Sequence, residues 1–140
     1  MKKIFLQGII AGCAGLVMAL VMNVVINFIF PGLVFEYDNP SLFRPWSDPL
    51  MSLYFVYPFV LGIVLAFVFS KTRKLFVKAG YISTGIRFGG LFWFLTSIPG
   101  MLMSYSTFPV SLLMIFSWSL GSLAEIVASS IVLAKLQKEE

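Results

Sequence analysis

Residues 109–134 read PVSLLMIFSWSLGSLAEIVASSIVLA, 26 residues with a single charge, Glu125. A helix of that length is long enough to cross a bilayer. An acid held so deep is costly, so it should have a partner or a task. The rest of the chain extends the same reading.

The 140 residues are 59% hydrophobic and only 11% charged, with a mean hydropathy of +0.96. Soluble domains carry about a quarter charged residues, so this composition belongs to a membrane protein with no room for a soluble domain. The net charge of +4 does not indicate nucleic acid, because the basic residues cluster at the ends of apolar runs. One cysteine, Cys13, excludes an internal disulfide, and the lack of histidine removes the commonest metal ligand and general base. No metal site and no cofactor are expected.

Four spans are expected, at about 4–30, 49–70, 82–103 and 109–134, within a single membrane domain covering 1–140. The first follows Lys2 and Lys3. Its Ile10-Ala11-Gly12-Cys13 resembles a lipoprotein cleavage site, but hydrophobicity continues 17 residues past the cysteine, as in a retained helix. Gly8, Gly12, Gly15, Ala19, Asn23 and Asn27 recur in steps of three and four. That spacing marks a seam where another helix comes close, with two asparagines able to hydrogen-bond across it or to line a polar cavity.

Pro31-Gly32 ends this span and opens an outer loop, 31–48. Phe35, Tyr37, Phe43 and Trp46 alternate there with Glu36, Asp38, Arg44 and Asp48, a pattern suited to the headgroup layer or to a lid. Pro58 interrupts the second span and frees the Tyr54 carbonyl. A basic connection at 71–81 follows, with Lys71, Arg73, Lys74 and Lys78. Gly85 and Gly89 form a GxxxG pair in the third span, and Ser104–Phe108 is short enough to predict a tight hairpin.

Eight basic residues fall on the side of the termini and the 71–81 loop, against Arg44 alone on the other. The expected fold is therefore an all-α, antiparallel up-down bundle of four transmembrane helices with both termini cytoplasmic. Compactness and the lack of eukaryotic sorting signals point to a bacterial inner membrane.

Glu125 shares a helix face with Trp118, Ser122 and Ser129, edged by Gly121. Arg87, in the third span, either reaches Glu125 or snorkels to the headgroups. The two side chains lean apart along their helices, which counts against a pair. Met51, Met101 and Met103 are more simply packing residues than a copper site. No catalytic constellation is legible.

Glu125, Arg87, Ser122, Ser129, Asn23 and Asn27 suggest a small transporter or channel-like protein. Four helices leave little space for a path, so a homo-oligomer is expected. The alternative is a structural or accessory subunit in a larger membrane complex, with glycine seams as its contacts. A lipid-modifying enzyme ranks third.

Overall fold

The computed structural model describes residues 1–76 and 80–138, so Lys78 of the basic connection and the terminal Glu139 and Glu140 lie outside the described residues. Every element among the described residues is helical: α1 (Lys2–Ile29), α2 (Gly32–Tyr37), α3 (Leu53–Thr72), α4 (Tyr81–Thr107) and α5 (Leu112–Lys138). Short 3₁₀ turns, Pro49–Ser52 and Arg73–Leu75, flank α3. Four segments are long and apolar enough to cross a membrane: Lys2–Ile29, Pro49–Leu75, Tyr81–Thr107 and Leu112–Gln137. Their outward faces carry side chains such as Phe28, Leu102 and Leu112, exposed to an extent that water would penalise and lipid would not.

Two expected boundaries move. The hairpin expected at 104–108 is helical through Thr107, and the α4–α5 connection is the four residues 108–111. The hydroxyls of Ser104 and Ser106 bond back to the carbonyls of Gly100 and Met103, which completes the last turn. Pro109 then disfavours helix at Phe108, whose backbone is extended (φ −107°, ψ 138°). The outer loop is also less irregular than its prolines suggest, because Gly32–Tyr37 forms a six-residue helix before Pro40.

α1 packs against both α3 and α5, and α5 packs against both α1 and α4. Glycines set these approaches. A Cβ on Gly8 would meet the Ile63 backbone at 2.6 Å, and one on Gly12 would meet Phe59 at 2.7 Å. Gly62 faces them from α3, where a Cβ would strike the Gly8 carbonyl oxygen and lie 2.7 Å from the Gly12 nitrogen. On the other side of the bundle, Gly85 meets the backbone of Ile131 and Gly89 that of Val127. Backbones this close gain dispersion and weak Cα–H···O contacts, which hold helices together where lipid cancels the hydrophobic drive.

Two apolar cores result. Near the Lys2 end, Ala11, Leu65, Ala66, Phe69, Phe88, Ile126, Leu133 and Ala134 are buried, and the Phe69 and Phe88 rings meet edge to face at 4.9 Å. At the other end, Leu33 of α2 packs with Val110, Met114 and Ile115, flanked by Met101 and Trp118. Between the cores α5 interleaves Ser117, Ser119, Ser122 and Glu125 with apolar residues.

Candidate functional site

Glu125 is the midpoint of α5, ~20 Å from either end at the helical rise. It is 6% exposed, and its Oε1 has no hydrogen-bond partner among the described residues. Gly15 of α1 makes room for it: a Cβ there would sit 3.3 Å from the Glu125 Cγ and 2.6 Å from the Ser129 Oγ. Ser129, one turn further along α5, is buried and donates to the Ala11 carbonyl at 3.0 Å. The acid and this serine therefore share one pocket against α1, tied to it by a hydroxyl and opened by a glycine.

The remaining candidates lie elsewhere. Ser122 donates to the Ser119 carbonyl at 3.0 Å and meets the Ser97 hydroxyl of α4 at 3.2 Å. Helix α5 is sandwiched between α1 and α4, so small polar groups on one seam find partners on either side. Asn27 donates to Asn23 at 3.0 Å along α1 itself, and Asn23 is exposed. Arg87 is exposed on α4, with no ion pair or hydrogen bond to a described residue. Gly121 has only the Ile26 side chain nearby, at 4.0 Å from an added Cβ.

The outer loop is tied down by contacts far apart in sequence. Glu36 accepts from the Ser111 backbone N–H at 2.6 Å and from its hydroxyl at 2.7 Å, and that hydroxyl accepts from Met114 N–H. A carboxylate thus closes the start of α5, where backbone donors and the helix dipole favour negative charge. Trp118 donates its indole N–H to the Tyr37 hydroxyl at 2.6 Å, and the Phe43 ring meets Trp118 edge to face and Tyr37 at a tilt. Burial pushes the Tyr37 phenol above its ordinary value of 10, partly offset by the Trp118 bond. At the far end of the loop, Asp48 accepts from Leu50 N–H and pairs with Arg44 at 2.9 Å. These hold its carboxyl below the usual range. Trp46 meets Tyr54 edge to face at 5.7 Å, while Phe35 is exposed.

Sequence reading missed several of these features. Gly62 carried a signal, since Pro58, Gly62 and Ala66 repeat every four residues and all three are buried. Ser111 before an apolar run is a recognisable cap, but its partner Glu36 lies 75 residues away. Ser130, fully buried against Gly89 with its hydroxyl unpartnered among the described residues, had no distinguishing pattern. Among the described residues no three His, Cys, Asp or Glu side chains gather as metal ligands. Comparisons with protein-family models, curated proteins and solved structures find no match.

Proposed function

We propose that this small polytopic membrane protein is an oligomeric transporter or channel-like protein whose working group is Glu125. The observation that carries the reading is the unpartnered Oε1 of a buried carboxyl at mid-helix, facing a glycine and not a cation. A structural ion pair would account for a buried acid, and Arg87 does not supply one. A carboxyl with a spare acceptor in this position is suited to exchanging a proton or small cation. Four helices leave little space for a path of their own, so a homo-oligomer belongs to the proposal. So do an antiparallel up-down arrangement, cytoplasmic termini and a bacterial inner membrane. The opposed order of the seam contacts, Gly8 with Ile63 and Gly12 with Phe59, supports the arrangement, and the basic charge near Lys2, Lys71 and Lys135 supports the orientation.

The test is flux of protons and of monovalent cations into proteoliposomes, comparing the native protein with Glu125→Gln. Loss of flux in a folded Glu125→Gln variant supports the reading, and flux equal to the native protein's refutes it. The second reading, an accessory subunit, is favoured by a separate observation: a Cβ added to Gly90 or Gly100 of α4 would meet no described atom within 4 Å. Small residues on a lipid-facing helix are also how a larger complex would be met. Co-purification at fixed stoichiometry with a larger membrane protein, without flux, would favour it.

A further inference from the structure

The outward side of the α4–α5 pair carries a trough of about 360 Å³ lined by Ile86, Gly90, Leu120, Leu123, Ala124 and Val127. Every lining residue is apolar. Its floor exists because Gly90 lacks a side chain, and a Cβ added there would meet no atom within 4 Å. The trough runs from the Ile86–Val127 level toward Leu120 near the middle of α5.

Arg87 follows the lining residue Ile86 directly in α4. It is three residues before Gly90, so the two share a helix face, and helical side chains lean toward their own N-terminus. That lean favours the Tyr81 end of α4, which begins ~9 Å from residue 87 at the helical rise, a reach suited to snorkelling toward headgroups. Arg87 is exposed and has no acidic partner among the described residues.

We propose that Arg87 and this trough together bind one anionic phospholipid, the phosphate on the guanidinium and one acyl chain laid along Gly90. A planar, always-charged donor fork matches a phosphate. The apolar channel beginning one residue away matches the chain attached to it. A second copy of the protein fits less well. It would bury Arg87 without an answering charge from the described residues, because Glu36, Asp38 and Asp48 lie at the opposite end and Glu125 faces α1.

The experiment strips the full-length protein of lipid in detergent, titrates it with phosphatidylglycerol or phosphatidylcholine, and counts bound lipid by native mass spectrometry. One phosphatidylglycerol should bind about fivefold more tightly than phosphatidylcholine, the size of one basic residue's attraction to anionic lipid. Arg87→Gln should erase that preference and Arg87→Lys should retain part of it. Gly90→Ile should weaken both lipids, with an unchanged circular dichroism spectrum. Ala124→Leu, which fills the trough from α5, serves if Gly90→Ile does not fold. Equal binding of the two lipids by the native protein would overturn the proposal, as would full binding by either filled variant. Loss of a dimer on filling the trough would overturn it too, by showing that a second copy occupies the groove.

Discussion

Replacing Gly62 with alanine tests whether backbone contact between α1 and α3 holds the bundle together. The new methyl would sit 2.7 Å from the Gly12 nitrogen and 2.9 Å from its Cα, with the Gly8 carbonyl oxygen closer still. All three atoms are backbone, so no side chain can turn aside. Restoring ordinary contact at ~3.5 Å requires the helices to part by roughly 1 Å, and a gap of that size forfeits a quarter to a half of the dispersion attraction across it. Overpacking of this kind costs about 1–3 kcal/mol. Alanine also favours helix over glycine by up to ~1 kcal/mol, which would mask part of the effect. Gly90→Ala, where the methyl meets nothing, carries the same helix gain without the clash. The difference between the two variants, measured by SDS titration from mild detergent, should therefore be about 1–3 kcal/mol, with Gly62→Ala the less stable. Equal stability would mean that the seam is not set by contact at Gly62.

Other perturbations probe the outer loop and the central site. Glu36→Gln should weaken the cap on α5 by about 1 kcal/mol and speed proteolysis within 38–48, while cleavage elsewhere stays constant. The raised Tyr37 phenol should ionise above pH 10, later than a free tyrosine, when followed by absorbance at 295 nm. The unfolded chain loses that proton first, so stability should fall as pH rises from 10 through the folded value. For Asp48 the sign reverses: its carboxyl is lowered from 3.8, so its contribution is present above that pH and lost as pH falls through the folded value. Asp48→Asn should abolish that acid-side dependence in a pH series of melts. Gly15→Val should crowd Ser129 and Glu125 and reduce flux as Glu125→Gln does, while Gly121→Val, with only Ile26 nearby, should leave flux near the native rate.

Apolar runs of more than 20 residues made the four long helices legible, because lipid allows such segments few other structures. The same logic located Gly8, Gly12, Gly85 and Gly89, whose spacing of four advertises close approach. It could not say which helix each would meet. Gly8 and Gly12 turn to α3 while Gly15, on the same seam, turns to α5, a division set by how α1 lies between two neighbours. The polar residues were harder for a related reason. Glu125, Ser122 and Ser129 share a helical face, but a hydroxyl takes whichever acceptor is nearest, and Ser122 found Ser97 on α4. Tyr37 with Trp118 and Glu36 with Ser111 join positions 81 and 75 residues apart, which local spacing does not encode.

Contact between the first and last long helices has a consequence for biosynthesis. The α1–α3 pair can form as soon as both helices emerge, and α4–α5 can follow as a second local pair. Glu125 receives its shelter against Gly15 only when the final helix joins the first, across more than a hundred residues of chain. Until then its carboxyl must wait in lipid, at the translocon or beside a chaperone. The last assembly step is thus also the one that removes an exposed acid from the bilayer, and slowing it should send the nascent chain to quality-control proteases before any of the earlier helices is at fault.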